Sequence, residues 1–282
     1  MMVCYLKSEI KNEIDINIKN REIIGLVPTM GSLHDGHISL INSAIKNCDK
    51  VWVSIFINPT QFNSETDLKN YPKNIEEDIN LIKSISNKVN VFCPEINEIY
   101  DKGLERKEYD FNGIDSVLEG KYRKNHFNGV ATIVSKLFVL FKPNKAFFGE
   151  KDFQQSQIIK RLIEIEKHKT ELIICPTIRE KNGLALSSRN SLLSLKNREK
   201  ASIIYKNLNY VKNHFKKLDF NQIISKCVKS INLCEEFQTE YFEIVDTLSL
   251  SKQNKYNKNK SYRVFVSVKV NDVRLIDNIL LN

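Results

Sequence analysis

The stretch VPTMGSLHDGH, residues Val27–His37, joins a run of β-branched residues to an amphipathic segment. Ile23–Val27 predicts a buried strand, and apolar residues recur at helical spacing through Ile38–Asn47. Gly31 and Gly36 permit tight turns between these two elements. In an open α/β sheet, ligands bind at the carboxyl ends of strands, where a helix N-terminus offers unpaired N–H groups to an anion. This stretch therefore predicts an α/β fold with an anion site at its first strand-to-helix turn.

Two histidines three residues apart end this stretch. His34 and His37 are either phosphate ligands or ordinary surface residues of a loop, and their position between a strand and a helix favours phosphate. The pattern resembles the HxGH signature of the nucleotidylyltransferase superfamily. That resemblance implies attack on the α-phosphate of a nucleotide with release of pyrophosphate, and such a reaction needs preorganised donors to phosphoryl oxygens.

Short apolar runs alternate with amphipathic segments through residues 1–176. Continuous apolar strands separated by helices predict a parallel sheet covered on both faces, and hence a Rossmann-like doubly wound α/β domain. Beyond the first strand and helix, the predicted strands are Val51–Ile57, Val89–Cys93, Ala146–Phe148 and Leu172–Cys175, and the predicted helices are Ile75–Ser86, Val130–Phe141 and Phe153–Glu166.

After Pro176 the alternation stops, because two helical patterns are followed by three strand patterns. Residues 177–282 are therefore predicted to form a smaller α+β domain. Val270–Val273 is a plausible tight hairpin, and the polar segment Ser251–Ser261 is predicted to be an exposed loop. The predicted elements are helices Leu195–Phe215 and Asn221–Leu233 and strands Tyr241–Val245, Tyr262–Val270 and Val273–Leu280.

The composition favours a soluble globular protein, with 282 residues of which 41% are hydrophobic and 27% are charged. No run reaches the ~18 apolar residues of a membrane helix, and the first residues lack the apolar segment of a signal peptide. A cytoplasmic protein without a membrane partner is expected. The six cysteines form no CxxC pair and are interpreted as free thiols of a reducing compartment.

The net charge of +9 raises the question of nucleic acid. Residues 1–176 carry 24 Lys and Arg against 24 Asp and Glu, so the whole surplus lies in residues 177–282. A nucleic-acid-binding module predicts basic and aromatic residues interleaved on one element. Lys252–Lys260 comes closest to that pattern, but it lies in the predicted loop. Nucleic acid is therefore not an expected partner.

A second block, FGEKDFQQ at Phe148–Gln155, follows another predicted strand and precedes another helix. Gly149 permits the turn, and Lys151 offers a mobile ammonium group to phosphate. Asp152 could hold a ribose hydroxyl or Mg²⁺, or it could do no more than cap the next helix. The motif alone leaves these alternatives open.

Two further blocks carry polar groups suited to ligands. Leu186–Asn190, LSSRN, brings two hydroxyls and a guanidinium group that could hold a triphosphate. Ser54–Phe62, SIFINPTQF, places Gln61 after a strand, where it could recognise a hydroxyl or carboxylate of a small substrate. Either block in isolation would be an ordinary loop.

Together these blocks resemble the pantoate–β-alanine ligase family. The resemblance covers essentially the whole chain, including HFNGVATIVSKL at His126–Leu137 and RLIDN at Arg274–Asn278. Another HxGH enzyme, such as a cytidylyltransferase or a coenzyme adenylyltransferase, is the alternative, and the NPxQF and GEKDxQQ blocks argue against it. The chain departs from the family pattern at Arg123–His126, where a pair such as Pro-Gly often precedes the HF dipeptide, and at Lys73, where arginine is common.

The resemblance implies a two-step reaction. The carboxylate of (R)-pantoate attacks the α-phosphate of ATP to give pantoyl adenylate and pyrophosphate, and the amine of β-alanine then attacks the adenylate and releases AMP. It also implies Mg²⁺ with the ATP, a homodimer, and a C-terminal domain that closes over the ATP site.

The same resemblance implies site residues. Gln61 and Gln155 hold pantoate, and Gln61 also meets β-alanine. His37, His34, Lys151 and Arg189 are implied to be catalytic; His37 is usually labelled a proton donor, whereas the residues themselves support phosphate stabilisation. The residues implied to bind ATP are Met30, Gly31, Ser32, Leu33, His34, Asp35, Gly36, His37, Gly149, Glu150, Lys151, Asp152, Ile178, Leu186, Ser187, Ser188 and Arg189.

Overall fold

The N-terminal sheet has six strands, and every pairing between them is parallel. The computed structural model describes residues 1–282. The strands are β1 Val3–Cys4, β2 Ile24–Thr29, β3 Lys50–Ile55, β4 Val89–Phe92, β5 Lys145–Gly149 and β6 Glu171–Cys175. Their order is β1-β4-β3-β2-β5-β6. After β2 the chain adds β3 and β4 on one side of β2, and it then adds β5 and β6 on the other side. A crevice is expected at this switch point, between the carboxyl ends of β2 and β5.

Helices cover both faces of this sheet. They are α1 Lys7–Lys19, α2 Asp35–Asn47, α3 Glu65–Lys69, α4 Ile75–Ile85, α5 Ile96–Ile99, α6 Glu119–Tyr122, α7 His126–Phe141 and α8 Phe153–Ile165. Trp52 and Phe148 of the sheet pack with α1, α7 and α8 on one face, whereas Val53 and Phe147 pack with α2 and α4 on the other. Apolar side chains on both faces explain the unbroken apolar runs and confirm the predicted doubly wound sheet.

The C-terminal part is built on a separate antiparallel sheet of three strands. Its elements are α9 Leu195–Lys200, α10 Ser202–His214, α11 Phe220–Asn232, β7 Phe237–Asp246, β8 Tyr262–Val270 and β9 Val273–Leu280. Residues of α10 and α11 pack on one face of this sheet. Val270 pairs directly with Val273, and Asn271 takes a φ of 51°, so the predicted hairpin is confirmed. The division of the chain at Pro176 stays a prediction.

Two local features of the structure differ from the predictions. The single helix over Leu195–Phe215 is two helices, because the chain bends at the fully buried Ala201, whose ψ is −12°. The N-terminal elements β1 and α1 were not expected, since β1 has two residues and α1 buries few side chains. The segment Ser251–Ser261 is an exposed loop, as predicted, and the ring of Tyr256 packs against Phe215 and Tyr262.

No helix of the structure combines the length and the apolar character that a membrane span requires.

Candidate active site

The HxGH turn occupies the carboxyl end of β2 and starts α2. His34 is the N-cap of α2, and its Nδ1 accepts the backbone N–H of Gly36 at 3.1 Å. The Nδ1 atom of His37 accepts the backbone N–H of His34 at 3.3 Å. A neutral imidazole whose Nδ1 accepts a hydrogen bond carries its proton on Nε2. These hydrogen bonds therefore assign an Nε2–H donor to each ring.

The two imidazole rings are neutral near pH 7. Burial, followed by the charge of Lys151, lowers the pKa of His34 to about 4. Burial also lowers the pKa of His37 to about 3, helped by His34 and then Lys151. The ring centroids are 4.1 Å apart, so two charged rings would repel each other strongly. The site thus offers phosphate two neutral N–H donors rather than two imidazolium cations.

Asp78 of α4 shapes the loop before these histidines, and no pattern in the sequence marks it. Its carboxylate accepts the backbone N–H groups of Ser32 and Leu33 at 2.8 and 2.7 Å. Gly31 and Ser32 both have positive φ, of 81° and 51°, so the loop is tightly bent where Asp78 holds it. Burial raises the pKa of Asp78, and the two N–H donors oppose that rise. The N–H groups of Ser32 and Leu33 are consequently occupied within the protein.

Replacing Asp78 by asparagine should destabilise the protein and weaken ATP binding. The amide can accept one of the two N–H groups but opposes the other with its own NH₂ group, which leaves a buried donor unsatisfied. We expect the free energy of unfolding to fall by about 1–3 kcal/mol and the KM for ATP to rise. Urea denaturation and steady-state kinetics measure both. The control is Asp49→Asn, because Asp49 also accepts a backbone N–H, from Ile23 at 2.8 Å, but is exposed; an equal loss there would contradict the account.

The Lys151 loop follows β5 and is held from the C-terminal sheet. Asn278 of β9 donates its side-chain N–H groups to the carbonyl oxygens of Glu150 and Lys151 at 3.0 and 2.8 Å. The Glu150 carboxylate accepts from Arg263 at 2.8 Å. Asp152 precedes α8 but makes no capping hydrogen bond, and its carboxylate lies 3.4 Å from Lys151 Nζ. The interpretation of Asp152 as only a helix cap is therefore wrong.

The LSSRN block, which follows β6 in the chain, contacts the HxGH loop. Ser188 donates a hydrogen bond to the carbonyl oxygen of Ser32 at 3.0 Å. The guanidinium of Arg189 pairs with Asp67 at 2.9 Å and lies over the ring of Tyr71. Arg189 faces the cavity but has a carboxylate partner, so binding a phosphate there would compete with Asp67.

A cavity of about 220 Å³ lies at the switch point and joins all four sequence blocks. The predicted site residues on its lining are Met30, His34, Gly36, His37, Gln61, Gly149, Lys151, Asp152, Gln155, Ile178, Leu186, Ser187, Ser188 and Arg189. Five predicted ATP residues are not on the lining, namely Gly31, Ser32, Leu33, Asp35 and Glu150. The cavity therefore collects most of the predicted residues, and their roles stay predictions.

One end of the cavity is suited to a small acid with an apolar body. Its wall is the face of α7 that carries Val130, Val134 and Leu137. Gln61 is 8% exposed, and its Oε1 accepts a hydrogen bond from Asn58 at 3.1 Å. By contrast, Gln154 points away and bonds backbone groups of the 114–119 segment, which leaves Gln155 as the glutamine of that block on the cavity.

Helix α7 comes close to the backbone beside Gln61. A Cβ on Gly129 would overlap the carbonyl oxygen of Thr60, so only glycine fits there. Asn58 also donates to the carbonyl oxygen of Gly129 at 3.0 Å. These contacts fix the position of Gln61 against the apolar wall.

Several lining residues were not among the predicted site residues. Asn58 and His126 lie inside quoted blocks but were not assigned a ligand, and Tyr71 lies two residues before Lys73, where the chain departs from the family pattern. Arg123 and Thr177 have no local pattern that marks them, because the cavity forms only when distant segments meet.

Comparisons with known proteins identify the family to which the chain is similar. A family model described as pantoate-β-alanine ligase matches residues 3–280. Pantothenate synthetase from Flavobacterium psychrophilum is 41% identical over 281 residues, which is 100% of both chains. The protein of that name from Christiangramia forsetii is 46% identical over 259 residues, with 92% of each chain covered.

Solved structures show the same fold. Pantothenate synthetase from Thermus thermophilus superposes with a TM-score of 0.91 at 32% identity, covering 100% of this chain and 99% of that one. Pantoate-β-alanine ligase from Francisella tularensis, complexed with β-γ ATP and β-alanine, gives a TM-score of 0.82 at 36% identity, with 100% and 98% covered. Matches of sequence and fold over the full length lead to one conclusion: the chain belongs to the pantoate-β-alanine ligase family.

Proposed function

We propose that this protein condenses (R)-pantoate with β-alanine to form pantothenate, with conversion of ATP to AMP and pyrophosphate. The observation that carries the proposal is the single cavity at the β2/β5 switch point. Its lining combines His34, His37 and Lys151, which suit phosphate, with two glutamines and the apolar side chains of α7. Membership of the family and full-length relatives named pantothenate synthetase support it.

The ATP is assigned to the HxGH end of the cavity. We place the triphosphate against Gly36–His37, Lys151 and Ser187–Arg189, and the adenine near Ile178. The backbone N–H groups of His34 and Gly36 are already bonded to the two imidazole rings, so the Nε2–H groups of those rings would be the donors at this anion site. Since Asp78 occupies the N–H groups of Ser32 and Leu33, Gly31–Leu33 would contribute through the shape of the loop.

In the first step, the pantoate carboxylate attacks the α-phosphate of ATP. A carboxylate is already a nucleophile, so the step needs alignment and charge stabilisation rather than a general base. The Nε2–H groups of His34 and His37 and the ammonium of Lys151 supply donors for the phosphoryl oxygens. Gln61 and Gln155 would hold the polar groups of pantoate while α7 packs against its methyl groups.

In the second step, the amine of β-alanine attacks the carbonyl carbon of pantoyl adenylate, and AMP leaves. Acyl adenylates are hydrolysed by water, so this step benefits from a cavity that excludes solvent. The LSSRN block and β9 contact the HxGH and Lys151 loops from the C-terminal part. We propose that these contacts close the cavity around the intermediate.

Mg²⁺ is proposed to arrive with ATP. Asp152 is the carboxylate on the phosphate end of the cavity, and no group of three or more His, Cys, Asp or Glu side chains forms a metal cage in the structure. One carboxylate together with substrate phosphates and water is a common coordination of Mg²⁺. When bound, the ion would neutralise charge on the phosphates, and Asp152 would be its carboxylate ligand.

The resemblance also supports two proposals that concern the molecule as a whole. We propose that two copies of the chain associate as a homodimer and that the enzyme works in the cytoplasm, as expected for a biosynthetic ligase.

The proposed function predicts strict dependence on three substrates. Purified protein with Mg²⁺, ATP, pantoate and β-alanine should form AMP, pyrophosphate and pantothenate in equal amounts. Chromatography of the nucleotides and mass spectrometry of the product measure this stoichiometry. Omitting pantoate should abolish AMP formation, and AMP formation that continues at the same rate without pantoate would refute the assignment.

A further inference from the structure

A buried histidine beside the cavity has one ring nitrogen with no partner in the protein. His126 is the first residue of α7 and is 5% exposed. Its Nδ1 lies 2.7 Å from the backbone carbonyl oxygen of Gln61, and Nε2 makes no hydrogen bond with the protein. The side chain lines the cavity together with Gln61 and Arg123. Nε2 is not one of the fully enclosed polar atoms that lack a partner, so it is reached from the cavity and is available to a ligand there.

The hydrogen bond to Gln61 fixes which nitrogen of His126 carries the proton. A carbonyl oxygen can only accept, so Nδ1 must be the N–H donor. Burial, and then the charge of Arg123, lowers the pKa of His126 to about 3, and the ring is therefore neutral near pH 7. A neutral imidazole has one N–H group, which leaves a lone pair on Nε2. This tautomer is opposite to the one that the hydrogen bonds of His34 and His37 assign.

An acceptor in this position selects for a ligand with an N–H or O–H group. Arg123, Lys151 and Arg189 on the same lining suit carboxylates and phosphates, whereas Nε2 would repel an anion. A second, smaller cavity adjoins the first and shares Arg123, His126, Lys151 and Gln155 with it. This second cavity measures about 30 Å³ against about 220 Å³ for the first, so a second small substrate beside His126 would lie in the first cavity. β-Alanine brings both required groups, a carboxylate for arginine and an amine for Nε2.

We propose that His126 is a catalytic residue of the second step, in which Nε2 accepts a hydrogen bond from the amine of β-alanine and then takes one of its protons. The inference rests on the proposed function. The amine lone pair forms the C–N bond, the bond between the acyl carbon and the phosphate oxygen breaks, and AMP leaves with that electron pair. The proton lost by nitrogen passes to Nε2 and from there to solvent.

A weakly basic imidazole is sufficient for this role. The acidity of the N–H group rises steeply as the nitrogen lone pair enters the new bond, because a protonated amide nitrogen is a strong acid. Nε2 therefore needs to accept the proton only late in the step, when AMP departs. Before that point, the hydrogen bond to Nε2 directs the amine lone pair towards the acyl carbon.

Two substitutions of His126 test the roles of Nδ1 and Nε2 separately. In His126→Asn, the side-chain NH₂ lies where Nδ1 was and can keep the bond to Gln61, but the acceptor is lost. We expect pyrophosphate–ATP exchange with pantoate to stay within about threefold of wild type. Aminolysis of the preformed adenylate by β-alanine, followed in single turnover, should slow by about 10²-fold. In His126→Gln, the amide oxygen can take the place of Nε2, and aminolysis should recover at least in part.

His214→Asn is the matched control. The Nδ1 atom of His214 also lies 2.7 Å from a backbone carbonyl oxygen, that of Tyr210, but its side chain is not on the cavity. This variant should keep both half-reactions at the wild-type rate.

Two results would overturn the proposal. One is wild-type aminolysis in His126→Asn, and the other is an equal loss of exchange and aminolysis, which would mean a role in binding the acid or in structure. A measurement on the wild type does not depend on folding of a variant: the ¹⁵N shift of His126 should show an unprotonated Nε2 that responds to β-alanine, and a protonated Nε2 would contradict the inference. Failure of the wild type to exchange pyrophosphate with pantoate would instead count against the proposed function.

Discussion

Lys151→Met is expected to lower the rate of pantoyl-adenylate formation by about 10²-fold or more. The ammonium of Lys151 is on the cavity lining beside both histidines, and it is held there by a loop that Asn278 fixes from β9. Methionine keeps an unbranched chain of similar length, so the loss should come from the missing charge rather than from packing. Rapid quenching of a single turnover with ATP and pantoate measures the rate directly.

A lysine at the other end of the same strand serves as the control. Lys145 begins β5 and pairs with Glu171 at 3.7 Å, away from the cavity. Lys145→Met should leave the rate within about twofold, because a partly exposed ion pair contributes little to stability. Equal losses in the two variants would mean that net charge, rather than the position of Lys151, controls the reaction.

His37→Asn is expected to reduce the same step by about 10²- to 10³-fold. The asparagine oxygen can replace Nδ1 as the acceptor for the backbone N–H of His34, so the turn should keep its shape. What is lost is the Nε2–H donor to the phosphoryl oxygens. The rate of adenylate formation is measured together with the thermal stability of the variant. A slow rate in a variant of wild-type stability would show that the missing donor, rather than a damaged fold, causes the loss.

The pH dependence distinguishes two roles of His37. Its pKa is about 3, far below the ordinary value near 6.5, so the ring is neutral above pH 6 and can act as a hydrogen-bond donor at any higher pH. Adenylate formation should therefore be insensitive to pH between about 6 and 8 as far as His37 is concerned. An activity that falls steadily above pH 6.5 in wild type, but not in His37→Asn, would indicate an imidazolium acid instead.

Much of the fold and of the site follows from local sequence. The apolar runs predict β2 to β6 because both faces of a parallel sheet are buried, and the HxGH and GEKD blocks each follow such a run. Parallel strands bring their carboxyl ends to one edge, so the meeting of His37 with Lys151 could be expected from the sequence. The hairpin between β8 and β9 could also be predicted, because its strands and turn are adjacent in the sequence.

Contacts between distant segments could not be predicted in this way. Asp78 binds a loop 46 residues earlier, and Asn278 binds one 127 residues earlier, so neither leaves a periodic pattern in the sequence. The tautomer of His126 depends on a hydrogen bond to the backbone of Gln61, 65 residues earlier, so no local pattern predicts it. The pairing of Arg189 with Asp67 likewise appears only when α3 and the LSSRN block meet.

Isotope exchange between pyrophosphate and ATP, with pantoate as the only acyl substrate, measures the reversible formation of pantoyl adenylate. The cavity brings His34, His37 and Lys151 together with Gln61 and Gln155, so we expect rapid exchange that requires pantoate and does not require β-alanine. Exchange that is absent with pantoate, or that proceeds equally well without it, would contradict the claim that this site forms pantoyl adenylate.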